Sequence, residues 1–356
     1  MKIQVKPAPL PHAGRRRPAP YTQYSAARRI ATRRRDRWVD SSQLPPETGG
    51  VNLRRTSAET IEDAWGGSLI PGTASAKFDE SWGKETRMTL ANILVHVDSK
   101  SRTAARTALA VRIAERAGAR LTGVFAERAA AYTVGTVSTW PSPHYTEALE
   151  QARDAFQAAT SSLGDRAGFF DLNRGSDIEI GARFVELART FDLVVLGQTH
   201  DAEPVPPKLP EQTIVESGRP VLVVPYVGNY PDVGARPLFA WRSSRGAARA
   251  VHDALPLIAK PCDGLVVEVA RKTERRDEFG DRLVANLAAR GITARYQHFV
   301  VDEISVMDTL LSAVSDHAAD LLAIGAFDQG AQALFGHGAG TRHILAHMTA
   351  PVLFSH

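Results

Sequence analysis

From Leu90 to the C-terminus the chain alternates short apolar runs with segments of helical spacing, and it passes through that alternation twice. "ANILVHVD" (Ala91–Asp98) is an apolar run of strand length. "SRTAARTALAVRIAERAG" (Ser101–Gly118) has helical periodicity and stops at a glycine, a common helix end. "ARLTGVFAE" returns to strand, "TEALEQARDAFQAATSSLG" (Thr146–Gly164) to helix, "GFFDLNRG" to strand and "DIEIGARFVELARTF" to helix. "DLVVLG" (Asp192–Gly197) and "RPVLVVPY" (Arg219–Tyr226) read as two further buried strands. Strands that are apolar along their whole length are covered on both faces, as in a parallel sheet with helices on each side. Right-handed crossovers between such strands give a doubly wound layer.

The second pass repeats the first. "RPLFAWRSS" (Arg236–Ser244) matches "ANILVHVDS", and "SRGAARAVHDALPLIAK" matches the first helix. "DGLVVEVA", "TARYQHFVV" and "DLLAIG" supply the middle strands, and "APVLFSH" (Ala350–His356) matches "RPVLVVPY". The expected fold class is α/β, with two tandem doubly wound, Rossmann-like parallel-sheet domains at 88–228 and 236–356. "VGNYPDVGA" joins them through turn residues. The final strands "PVLVVPY" and "PVLFSH" would leave open, apolar edges. They are expected to pair with each other, as an intramolecular pseudo-dimer or between chains as a homodimer.

Residues 1–87 differ in kind. They hold 16 Lys+Arg and 9 Asp+Glu, a balance of +7, whereas the whole chain carries 43 against 39. The remainder therefore holds 27 against 30, and nothing in it suggests a nucleic-acid surface. Pro7, Pro9, Pro11, Pro18 and Pro20, with the runs Arg15–Arg17 and Arg33–Arg35, give a stretch that cannot bury enough apolar surface to offset its ordering entropy. It is expected to be a disordered basic extension. A basic arm for nucleic acid or anionic lipid, a targeting segment, and a neutral extension with Met88 as the natural start are the readings left open. One cysteine, Cys262, rules out a disulfide framework and fits a cytoplasmic setting. No apolar run approaches the roughly 20 residues that span a bilayer.

The stretch most suggestive of chemistry is "IGAFDQGAQALFGHGAGTRHIL" (Ile324–Leu345), in which a strand gives way to a glycine-bearing loop and then a helix. Glycines let backbone N–H groups approach phosphate oxygens, and a following helix aims its own N–H groups and partial positive charge at the same place. Gly338, Gly340 and Thr341 suit that role, and Arg342 adds a charge. A structural connection is the alternative.

The residues "DLLAIGAF" (Asp320–Phe327), "GAGTRHILAHM" (Gly338–Met348) and "APVLFSH" resemble the universal stress protein (UspA-type) family. "NILVHVDSK", "DLVVLGQ" and "SGRPVLVVPY" carry the resemblance into the first half. Together the two halves look like the tandem members, whose fold is adenine nucleotide α-hydrolase-like. The resemblance implies a stress-response protein that acts by binding, with ATP in the second domain and Mg2+ only alongside ATP. A non-binding adaptor and a slow metal-dependent ATP hydrolase are the alternatives. Nucleotide-binding members carry Gly, two residues, Gly, nine residues, Gly. Here Gly325 is followed by Ala326, the second glycine is replaced by Asp328, and the third is Gly338, followed by Ala339, Gly340, Thr341 and Arg342. A carboxylate at Asp328 repels a triphosphate unless a metal lies between them. In the family an Asp at the end of the first strand lies against adenine. Arg242 takes that place in the second half, and losing a hydrogen bond to a charged group costs about 1.5–3 kcal/mol, roughly 10- to 150-fold in affinity. The first half keeps Asp98 but has Pro207 where Gly338 stands, and proline offers no N–H. That half is expected not to hold phosphate in the family manner.

The remaining candidates have plain alternatives. His343 and His347 have i, i+4 spacing, with His337 and His356 nearby, but no carboxylate or cysteine beside them in sequence. Cys262 follows Lys260, which could activate it, yet packing is the simpler role. His96 and His200 lie near strand ends and read as satisfied or solvated. Ser99 reads as a cap for the first helix.

Overall fold

The computed structural model describes residues 90–129, 132–172, 176–199, 204–272, 278–302, 305–327 and 338–356, all within one compact unit. The expected disordered extension at 1–87 lies outside these residues, as do His200, Asp328 and His337. No described helix is long and apolar enough to cross a membrane.

The first half runs β1 (Asn92–Val97), α1 (Arg102–Ala117), β2 (Arg120–Phe125), a small hairpin of β3 (Tyr132–Val134) and β4 (Val137–Thr139), then α2 (Pro143–Ala159). It continues through β5 (Ala167–Asp171), α3 (Asp177–Ala188), β6 (Leu193–Gly197), α4 (Leu209–Glu216) and β7 (Val221–Val224). The second half runs β8 (Pro237–Ala240), α5 (Arg245–Ala254), β9 (Gly264–Arg271), α6 (Gly280–Ala289) and β10 (Ala294–Val301). It closes with α7 (Val306–Asp316), β11 (Leu321–Gly325), α8 (Ala339–His347) and β12 (Val352–Ser355).

Ten strands form one sheet in the order β10-β9-β8-β11-β12-β7-β6-β1-β2-β5. Each half therefore has the spatial order third, second, first, fourth, fifth, with all its strands parallel. The two fifth strands meet antiparallel, Val352 opposite Val223 and Phe354 opposite Val221. That pairing satisfies the open edge of each half inside the chain. It also reverses direction, so the carboxyl ends of the strands, where ligands gather in such sheets, face opposite ends of the molecule in the two halves.

Both faces of the sheet are covered, which is why its strands read as continuous apolar runs. Ile93, Val95, Phe239 and Val266 look toward α1, α2, α5 and α6. Leu94, Val194, Leu238 and Phe354 look toward α3, α4, α7 and α8. Helix α1 ends where Gly118 adopts a left-handed φ of 67° and returns its N–H to Ala114 and Glu115 carbonyls. Helix α2 starts three residues before Thr146, because Ser142 caps it by accepting from the Tyr145 N–H at 3.2 Å and Pro143 is preset for a first turn. Its expected last residues, up to Gly164, instead belong to a separate 3₁₀ segment, Ser161–Arg166.

The repeat is visible in single side chains. Asp192, just before β6, accepts the N–H groups of Ala91 and Asn92 at 2.8 Å each. Asp320, just before β11, accepts those of Gly234, Ala235 and Arg236 at 2.8–3.0 Å. The same residue thus pins the entry of the first strand in each half. Register also corrects the alignment of the two passes. Ile93 pairs with Leu193 and Pro237 with Leu321, so Arg236 corresponds to Asn92, one position on from the match read off the sequence. Continued along the strands, this equivalence puts Arg242 at the place of Asp98.

Candidate functional site

In the second half, β11 ends at Gly325, where an added Cβ would lie 2.5 Å from the Gly246 carbonyl carbon and 2.8 Å from the Ala247 nitrogen. The start of α5 thus closes against the strand end, and only glycine permits it. Ala326 extends the sheet, donating its N–H to the Ser355 carbonyl at 2.7 Å and accepting from the His356 ring at 3.0 Å. Gly338 then begins α8 with a φ of 73°. A Cβ there would strike the Phe327 ring at 2.2 Å. Ala339, Gly340, Thr341 and Arg342 form the first turn behind it.

Among the described residues no side chain caps that turn, and no acid lies in it. Its backbone N–H groups and partial positive charge are therefore not already neutralised by the helix's own residues. Thr341 is buried, and its hydroxyl accepts the Phe327 N–H at 3.1 Å, so it fastens the loop. Gly340 backs onto Met307. Arg342 is exposed and reaches Glu211 of α4 at 3.6 Å, a contact between the halves. Of the residues singled out in the sequence, Gly338 to Arg342 come together at one helix start. Gly325 and Ala326 form the neighbouring strand end, and Arg242 is exposed beyond β8.

The first half shows why its crevice differs. Asp98 is buried and takes hydrogen bonds from the Lys100 N–H at 2.9 Å, the Thr103 hydroxyl and Arg106 at 2.7 Å. Arg106, itself buried on α1, also donates to the His96 carbonyl at 2.7 Å. Its guanidinium lies where a Cβ on Gly197 would be, 2.3 Å away. The crevice between β1 and β6 is thus filled by the protein's own arginine, and the space left there is about 30 Å3, room for about one water. Burial works against a charge on Asp98, but Arg106, His96 and the Thr103 hydroxyl outweigh it and hold the carboxyl well below the usual range. Burial and the adjacent Arg106 lower His96 to about 4, so the ring is neutral, bonded to the Ala126 carbonyl at 3.2 Å.

A larger cavity, about 980 Å3, opens beside this plug, between the ends of β1 and β2 and the starts of α2 and α3. Ser99, Lys100, Glu127, His144, Tyr145 and Ile178 are among the residues that line it. Ser99 does not cap α1, whose first flanking residue is Ser101. Its N–H instead donates to Glu127 at 2.5 Å, and burial raises that carboxyl above its ordinary value.

Sequence reasoning missed Arg106, Glu127 and Gln198. Arg106 lies three and four residues before Leu109 and Ala110, on the apolar stripe of α1, and a charge on such a stripe was the available signal. Gln198, buried after β6, donates to the Leu345 and Ala346 carbonyls at 2.8 and 3.2 Å and so closes the last turn of α8 from across the junction. His343 and His347 stack with centroids 4.4 Å apart. A carboxylate absent from their sequence neighbourhood does join them, since Asp308 of α7 meets His343 at 2.6 Å. Among the described residues no group of three or more His, Cys, Asp or Glu side chains gathers for a metal. Lys260 turns its amine to the Arg290 carbonyl at 2.6 Å, while half-buried Cys262 packs against the core.

No family model and no curated protein sequence matches the chain. Solved structures do. A universal stress protein from Archaeoglobus fulgidus DSM 4304 aligns over 74% of this chain and 95% of its own, at 14% identity with a TM-score of 0.55. A universal stress protein family member from Burkholderia pseudomallei aligns over 34% and 94%, at 23% identity and a TM-score of 0.26. A universal stress protein in complex with cAMP aligns over 38% and 96%, at 19% identity and 0.27. The strand order, the helices on both faces and the first of these alignments give one conclusion: this chain has the universal stress protein fold.

Proposed function

We propose that the chain is a cytoplasmic stress-response protein that acts by binding an adenine nucleotide at the start of α8 in its second half. The observation that carries this reading is Gly338, held at a φ of 73° ahead of a helix turn that holds no acid and that no described side chain caps. That geometry suits an incoming phosphate, and Arg342 adds a cation at the same turn. With Arg242 in the place of the adenine-facing carboxylate, affinity is expected to be weak, toward millimolar. ATP is the proposed ligand, with Mg2+ accompanying it. The first half is assigned no nucleotide, because Arg106 fills its crevice.

Thermal unfolding with and without millimolar ATP and magnesium tests this. A ligand that binds only the folded state stabilises it by about 0.4 kcal/mol when its concentration equals Kd, and so raises the midpoint. The shift should vanish in Arg342→Glu, which leaves the glycines intact, and in Gly338→Val. A midpoint unmoved by ATP in the unaltered protein would favour the adaptor reading. ATP-dependent phosphate release lost in Asp328→Ala would make the protein a hydrolase.

A further inference from the structure

We propose that the cavity in the first half is a second binding site, for a small amphipathic organic anion. It is separate from the nucleotide turn, which lies at the opposite end of the sheet. Its volume of about 980 Å3 sits at the upper end of the roughly 300–1,000 Å3 typical of ligand sites.

The lining divides by chemistry. Tyr145, Ala148 and Pro204 supply apolar wall, and Ile178 stands at the rim 80% exposed, with no packing role in the core. Lys100 and His144 face the same space. Among the described residues Lys100 is in no ion pair within 4.0 Å, although its charge is felt by Glu127, and His144 makes no hydrogen bond, so each can turn to a ligand's charged end. Each described acid of the lining has a positive or N–H partner beside it. Glu127 is 4% exposed and bound to the Ser99 N–H, and Asp177 pairs with Arg128 at 3.3 Å.

The same inventory argues against a nucleotide here. Ser142 caps α2, and Ser176 with Glu179 closes a capping box at the start of α3. These groups meet part of each helix start, and the described lining holds no glycine to open a row of backbone N–H groups to a triphosphate as Gly338 does in the second half. A single negative group on an apolar body fits; a polyanion does not.

The probe is 8-anilinonaphthalene-1-sulfonate, an aromatic monoanion whose fluorescence rises on leaving water, titrated into the full chain. The expected result is one saturable class of sites. Lys100→Glu should weaken it about tenfold, a change of about 1.4 kcal/mol. Ala148→Trp should narrow the cavity along its apolar wall and weaken binding at least as much. Lys272→Glu, outside the cavity, should leave it unchanged. If Ala148→Trp fails to fold, Ile178→Asp at the exposed rim provides the apolar test. Titrations without saturation, or equal in wild type, Lys100→Glu and Ile178→Asp, would overturn the proposal. So would displacement of the probe by ATP in Gly338→Val, since the cavity would then be a nucleotide site.

Discussion

The buried set of His96, Asp98 and Arg106, with half-buried Thr103 beside it, decides the character of the first half and makes its stability depend on pH. His96 is 2% exposed and titrates near 4, against an ordinary 6.5. Its folded pKa is depressed, so the unfolded chain takes up the proton first. The stabilisation is complete above about pH 6.5 and is lost as pH falls toward 4, on the order of 3 kcal/mol in total. Asp98 has the same sign at lower pH, because protonating it gives up Arg106. Urea midpoints measured from pH 7 to pH 4 should fall steeply for the wild type and more gently for His96→Gln. Equal slopes would show that His96 is not buried neutral. The sequence disclosed His96 and Asp98 at a strand end, but not that Arg106 would occupy the space beside them. That outcome depends on how far α1 packs down over β6, a distance no local pattern encodes.

Among elements, alternation made the parallel strands and their helices legible, since covered strands need apolar residues on both faces. Boundaries were less legible where caps ruled, as at Ser142 and Pro143 ahead of α2. The hairpin of β3 and β4 was not anticipated at all. The glycine turn was readable as a loop followed by a helix. That Thr341 would turn inward to Phe327 was not, because its partner is set by the left-handed φ of 52° at Phe327. The two strand-entry aspartates are a repeat device that the aligned "DLVVLG" and "DLLAIG" contain but do not explain. Replacing Asp320 with Ala removes three charge-assisted bonds. At about 1.5–3 kcal/mol for such a bond, with partial compensation by water, the loss should be at least about 2 kcal/mol. Chemical denaturation checks this, and a loss under about 0.5 kcal/mol would mean that solvent replaces the carboxylate.

At the scale of the whole molecule the two halves are related by a reversal at β7 and β12, which turns two like layers into one sheet with unlike ends. One end holds the arginine-filled crevice and the large cavity; the other holds the glycine turn. Gln198 and the Arg342–Glu211 pair cross the junction, so α8 is braced by the half that is assigned no nucleotide. Only the second half is assigned a place for a nucleotide. Calorimetric titration of the full chain with ATP and magnesium tests that assignment most directly. One weak site per chain is expected, lost in Arg342→Glu and kept in Lys100→Glu. Two sites per chain, or a single site lost in Lys100→Glu but indifferent to Arg342, would contradict it.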